Sequence, residues 1–245
     1  MRQIVESLKS YSGALALISK LNLWKYFAVP IVISFLVASV IGILAYTLSD
    51  NIGQYLSNFW GWDWGKDTFS TIGSIIGGLV IIILGLILFK HIIMALSAPF
   101  MGPVSEKIEA HYLGFNSPKP SSSFMELLWR GIRVNGRNLV MELIITLPLL
   151  LLKFIPVINL FSTGLIFVIQ AYYAGFGNMD YTLERHKSYR ESLRFVKQNK
   201  GLAIGNGIGF LVLLLIPFAG VFLVLPLSVT SASIITVKHL NKQYA

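Results

Sequence analysis

Phe27 to Leu48 runs 22 residues without a charged side chain, and Ile72 to Phe89 runs 18 more. A helix rising about 1.5 Å per residue needs roughly 20 such residues to cross a hydrocarbon core about 30 Å thick. No water satisfies peptide groups there, so a spanning segment must be a helix or part of a closed barrel. Barrel strands alternate apolar and polar positions over about ten residues, and these blocks do not alternate. The chain is therefore expected to be an all-α, polytopic integral membrane protein. Of its 245 residues 55% are hydrophobic and 13% are charged, against about 25% charged in soluble domains.

Residues 1–245 are read as a single membrane domain. Ile4, Leu8, Tyr11, Leu15 and Ile18 step by four and three, which predicts one interfacial helix over 2–20 with an apolar stripe. Residues 1–26 lack a compact apolar core and a small-residue cleavage pattern, so a cleaved leader is not expected. Asn22 is placed to cap the next helix, and spanning helices are expected over 27–48 and 69–98. The loop between them carries Asp50, Asp63 and Asp67, together with the interface-seeking aromatics Tyr55, Trp60, Trp62 and Trp64. Pro99 and Pro103 should bend or end the second span. Ser117–Ser123 reads as a linker, and Phe124 to Asn138 as a basic helix carrying Arg130, Arg133 and Arg137.

The last hundred residues repeat a plan. Leu139 to Leu152, 14 residues, leads through Lys153 and Pro156 into a second apolar stretch ending near Gly175; Leu202 to Ile216, 15 residues, leads through Pro217 into another ending at Val237. First arms of that length reach only about 21–23 Å. Two Pro-broken helical hairpins are expected, over 139–175 and 202–237. They are either re-entrant, penetrating half the membrane, or pairs of ordinary spans joined by tight turns. With this topology 18 of the 20 Lys and Arg residues fall on one side, only Lys66 and Lys153 lying elsewhere. The positive-inside rule makes that side cytoplasmic, both termini included. The net charge of +9 is explained by this asymmetry, and no nucleic-acid partner is expected.

Little here suggests enzyme chemistry. There is no cysteine, so thiolate nucleophiles and thiolate-bound metals are excluded. His91, His111, His186 and His239 show no metal-ligand spacing, and no Ser–His–Asp constellation can be picked out. No cofactor, metal or catalytic residue is expected. Gly205-Asn-Gly-Ile-Gly209 follows no strand, and Phe210 stands where a third phosphate-loop glycine would fall. Gly201, Gly205 and Gly209 step by four instead, which predicts close helix packing. Glu106, Lys107 and Glu109 follow the Pro-Gly break. They either form a pore-entrance network, with Arg130 or Arg133 as partners, or a solvated cytoplasmic face. Glu142, four residues into an apolar block, is a functional candidate because an ionisable group is costly in lipid; Arg137 or Asn138 are its expected partners.

Three stretches resemble the CysZ family of sulfate permeases. Ala98–Glu109 (APFMGPVSEKIE) is similar to the family's APFNGLLAEKVE stretch. Met179–Lys187 (MDYTLERHK) is similar to its LDYPxxxHx pattern, and Leu214–Pro217 with Leu225-Pro226 to its final Pro-broken hairpin. The resemblance implies long membrane helices plus two partly penetrating hairpins, assembled as a homo-oligomer in the inner membrane. It also implies uptake of sulfate or a related oxyanion for cysteine synthesis, as a channel or a transporter. Family members place sulfate at a Gly-Leu-Arg-Arg stretch before the first span; the matching positions are Asn22, Leu23, Trp24 and Lys25, of which only Lys25 is cationic. Helix N-terminal amides still favour an anion there. The alternative is a non-transporting membrane scaffold or lipid-interacting protein.

Overall fold

A computed structural model describes residues 1–58, 65–114, 123–152, 156–216 and 219–244. Trp60, Trp62, Asp63 and Trp64 of the aromatic loop, the linker from Ser117 to Ser122, Lys153 and Pro217 lie outside the described residues. Among those described, no strand occurs. The helices are α1 (Arg2–Lys9), α2 (Ala14–Lys20), α3 (Trp24–Asn58), α4 (Lys66–Leu113), α5 (Phe124–Leu151), α6 (Pro156–Leu183), α7 (Tyr189–Gln198), α8 (Lys200–Leu214) and α9 (Ala219–Tyr244). Trp24–Tyr55, Ile87–Leu113, Ile158–Leu183 and Phe222–Asn241 are long and apolar enough to cross a membrane. The 15-residue α8 reaches only about 22 Å.

The chain divides into two compact units, Ile33–Lys90 and the remainder, Met1–Val32 with His91–Ala245. In the first, close contacts pair Gly53 with Ser74, Gly77 with Ile52 and Gly85 with Ile41, so the two segments run antiparallel. A side chain added at any of these glycines would collide with the facing helix. Phe35, Val40, Ile43 and Ile75 are left exposed, as expected of residues that meet lipid.

The second unit is built around α6 and α8. Gly207 lies directly against the backbone of Ala171, and Gly175 against that of Ala203; a Cβ on either glycine would overlap the facing carbonyl. Around this crossing, Phe176, Met179 and Leu183 of α6, Phe195 and Val196 of α7, Leu202 of α8 and Ile235 of α9 form one buried apolar cluster. The other face of α8 carries the stripe read from sequence. Gly201 meets Gln3, Gly205 meets Ile4 and Ser7, and Gly209 meets the ring of Tyr11. The glycines do provide close packing, and their partner is the N-terminal helix.

That docking explains a departure at the N-terminus. Residues 2–20 form two helices, α1 and α2, because the chain turns over residues 10–13. Ser7, Ala14, Leu17 and Ile18 face inward, while Leu8 and Leu15 of the expected stripe remain exposed. A glycine groove accepts small and polar side chains at backbone distance, and α1 answers with Ser7, whose hydroxyl donates to Leu202 O at 3.0 Å.

Two boundaries also differ. α4 does not end at Pro99 or Pro103 but continues to Leu113. The Ala95 carbonyl, which Pro99 cannot bond, faces Gly131 of α5 across a gap too small for a Cβ. α5 runs unbroken for 28 residues from its capping box at Ser123 and Glu126, so the 14-residue block is the C-terminal half of a longer helix. We expect Gly207→Val to separate α6 from α8 and cost about 1–3 kcal/mol or more. Gly136→Ala, whose Cβ meets nothing within 4 Å, should match wild type or exceed it slightly. Thermal unfolding in detergent compares them.

Candidate anion site and charged network

The Asn22–Lys25 turn is built by the end of α2. Asn22 adopts φ +50°, a left-handed conformation that asparagine tolerates better than most residues. Its amide donates to Ser19 O at 3.2 Å and the Leu23 amide to Ile18 O at 2.9 Å, a paired arrangement that closes a helix C-terminus. Asn22 therefore terminates α2 and is not the cap of α3. Leu23 is fully buried and anchors the turn from inside. With the Leu23 amide engaged, the first-turn amides left to face an anion are those of Trp24 and Lys25.

Around this turn the charge is positive. Lys20 and Lys25 are exposed. Lys25 Nζ lies 5.3 Å from the Tyr26 ring centroid and Lys107 Nζ 5.0 Å from the same ring. One aromatic ring thus gathers two ammonium groups, one from the expected anion site and one from the expected entrance network. Cation–π contacts of this length contribute about 0.5–1 kcal/mol at exposed sites.

The rest of the expected network separates into two clusters. In the first, Glu109 is fully buried and pairs with Arg185 (2.7 Å) and His186 (2.5 Å). The same arginine donates to Gly102 O and Tyr181 O. Five residues before Arg185, Asp180 is held by Arg130 through two bonds, 3.0 and 2.9 Å, and the same guanidinium reaches Lys187 O and Ser192 Oγ. Arg133 stacks over Tyr189 with its guanidinium carbon 4.2 Å from the ring centroid. Glu106 is half-exposed. In the second cluster, buried Glu142 lies 3.1 Å from His91 Nε2, and Asn138 donates instead to Tyr173 O. Sequence reasoning offered Arg130 or Arg133 to Glu109, whereas Glu109 pairs with Arg185 and His186 and Arg130 with Asp180; for Glu142 it offered Arg137 or Asn138, and His91 stands beside it as well. Asp180, Arg185 and His186 were within reach, since all three sit in the Met179–Lys187 stretch already singled out.

Glu184 adds a titratable group beside this cluster. Burial, then the charge of Asp180, pushes its carboxyl up to about 8, against the opposing pull of Arg185 and Arg130. No group of three or more His, Asp or Glu side chains is arranged to hold a metal ion among the described residues.

Residues 11–224 match the protein family described as Sulfate transporter CysZ/Etoposide-induced protein 2.4. The chain belongs to that family. Among its relatives is the Sulfate transporter CysZ of Pseudomonas aeruginosa, 30% identical over 167 residues, covering 65% of this chain and 67% of the relative. That of Pseudomonas syringae pv. tomato is 30% identical over 166 residues, 65% of each chain. That of Pseudomonas fluorescens is 28% identical over 178 residues, covering 69% and 70%. Every candidate site residue named so far falls inside the CysZ family match.

The CysZ-family stretch around Asp180 carries two expected outcomes. Arg185→Ala would leave Glu109 buried without its main partner and should cost about 3–5 kcal/mol, read as loss of thermal stability. For Glu184, an acid whose pKa is raised from 4.5 to about 8 in the fold, the native state holds the extra proton across that window. Its contribution is therefore present at low pH and lost as pH rises. Glu184→Gln should match wild type near pH 5 and be the more stable of the two above pH 8, in paired melting curves.

Proposed function

We propose that this protein moves sulfate or a related inorganic oxyanion across the cytoplasmic membrane, in support of sulfur assimilation, and that it engages the anion at the start of α3. The observation that carries this is the convergence of Lys25 and Lys107 on Tyr26 beside the Asn22–Lys25 turn. The CysZ relatives, named as sulfate transporters, support the same reading. A long helix presents roughly half a positive charge at its N-terminus, and α3 is 35 residues long. The amides of Trp24 and Lys25 supply directed hydrogen bonds, and the two ammonium groups supply charge as mobile points rather than a fixed fork. A site built this way holds a tetrahedral oxyanion without a bidentate arginine and releases it readily. Glu109, Arg185, Arg130 and Asp180 form the rigid charged wall beyond Lys107. Glu109 carries the wall's one fully buried carboxylate, and its pairing with Arg185 and His186 holds the wall together.

The 18-to-2 distribution of cations supports an orientation with both termini in the cytoplasm. We also infer a homo-oligomer. Asn159 stands exposed at the start of α6 beside Leu160 and Phe161, which are 78% and 75% exposed; its Oδ1 accepts from Thr163 at 3.3 Å, but lipid offers the N–H groups of an amide no acceptor.

Titration calorimetry tests the anion site. Lys25→Ala and Lys107→Ala should each weaken sulfate binding roughly 10- to 100-fold, as expected for loss of a charged partner worth about 1.5–3 kcal/mol. Unchanged affinity in both variants would move the site elsewhere, and failure of wild-type proteoliposomes to take up labelled sulfate would favour the scaffold reading. Orientation is tested on the naturally cysteine-free chain. A membrane-impermeant thiol reagent added to intact cells should modify Asn58→Cys and spare Ser188→Cys; the reverse pattern would invert the topology.

A further inference from the structure

A second basic site is built from residues near both ends of the chain, outside the family's signature stretches. Docking of α1 onto α8 leaves an open cleft of about 600 Å³ between α1 and the C-terminal part of α9. That volume falls within the range of ligand-binding clefts, roughly 300–1,000 Å³. Arg2 and Lys9 line one wall and Lys238 the other, with Glu6 between them and buried Ile235 beneath. The cleft is held firmly. Ser10 Oγ meets Ser231 Oγ at 2.5 Å, and the Tyr11 hydroxyl donates to Asn206 O at 2.6 Å while meeting Ser228 Oγ at 3.0 Å. Lys238 Nζ lies 5.8 Å from the Tyr112 ring centroid. Arg2, Glu6, Lys9 and Lys238 all fall outside residues 11–224 that match the family.

We propose that this cleft binds the headgroup of an anionic phospholipid bearing free hydroxyls, of the phosphatidylglycerol type. Three arguments select that class. First, the three cations stand on opposite walls of a wide cleft, a spacing suited to a phosphodiester with substituents on both sides rather than to a compact inorganic anion. Second, Glu6 would repel a bare dianion, whereas its carboxylate accepts hydrogen bonds from glycerol hydroxyls; the imidazole of His239 lies 3.7 Å from it. Third, Val5 and Leu8 of α1 are 50% and 38% exposed beside the cations. Apolar and basic residues side by side on one short helix suit the plane where acyl chains meet headgroups. Basic pockets against membrane helices on the cytoplasmic side have the character needed to retain anionic headgroups. The site is independent of the sulfate reading and requires only that the chain sit in a bilayer.

The test uses the full chain purified in mild detergent and depleted of lipid, with native mass spectrometry as the readout. Phosphatidylglycerol should be retained at least tenfold more tightly than phosphatidylcholine. The double variant Lys9→Gln/Lys238→Gln should lower phosphatidylglycerol affinity roughly tenfold. Glu6→Gln should reduce the preference for phosphatidylglycerol over phosphatidic acid. Arg190→Gln/Arg194→Gln removes two exposed cations from α7 and should leave phosphatidylglycerol affinity within about twofold. Equal retention of the two zwitterionic and anionic lipids, or equal loss in both double variants, would reduce the effect to bulk charge and overturn the site. Displacement of the lipid by inorganic phosphate at matching concentration would make it a free-oxyanion site and overturn the lipid assignment.

Discussion

The larger unit depends on a crossing of two backbones without intervening side chains. At Gly207 on Ala171 and Gly175 on Ala203, α6 and α8 approach more closely than any Cβ permits. In a lipid environment helices gain no hydrophobic advantage from meeting each other, so close backbone packing and interhelical hydrogen bonds supply the association. The same crossing carries one of those bonds, from Asn178 on α6 to Asn206 on α8 at 2.9 Å. Asn206 in turn donates to Ser228 O on α9 at 2.9 Å and accepts at its carbonyl from Tyr11. One buried amide side chain therefore ties α6, α8 and α9 together, with the N-terminal turn tied in through the backbone beside it.

Many of the unit's buried polar groups are met inside the bundle, although the buried hydroxyls of Ser97, Thr230 and Thr236 find no hydrogen-bond partner among the described residues. Some interior hydroxyls are shared in pairs, such as Thr182 with Ser233 and Ser105 with Thr182. Two fully buried carboxylates are met by a cationic or imidazole group, Glu109 by Arg185 and His186 and Glu142 by His91. Arg130 shows why the arrangement is stiff: its guanidinium spends donors on Asp180, on the Lys187 carbonyl and on Ser192 at once. Such a group fixes the end of α6 against the start of α7, and with it the direction in which the neighbouring charges point.

Much of this was legible in the residues. Charge-free length announced the helices, and the spacing of Gly201, Gly205 and Gly209 announced a packing face. What that stripe packs against was not legible, because the apolar periodicity of residues 2–20 suggested a face that excludes Ser7 and includes Leu8. Packing on glycine reverses the usual preference, since small polar side chains fit where leucine does not. The carboxylates at 109 and 142 were marked by their setting. Their partners were not, since Arg185 lies 76 residues and His91 51 residues away in sequence. Helix-end signals at Asn22 and Pro99 were ambiguous for a common reason. Each residue type permits two local outcomes, and tertiary packing chooses between them.

The attachment of α1 has a consequence for the order of biosynthesis. Ser7 bonds to a residue 195 positions later and Ser10 to one 221 later, so α1 has no groove to occupy until α8 and α9 have been made. At about 5–20 residues per second that interval is roughly 10–40 s. During it, a short amphipathic helix with exposed valine and leucine must wait somewhere. The membrane surface is the natural holding place, from which α1 is drawn into the bundle when α8 and α9 arrive. Assembly of this unit would then finish with α1, a helix made well before the groove that receives it.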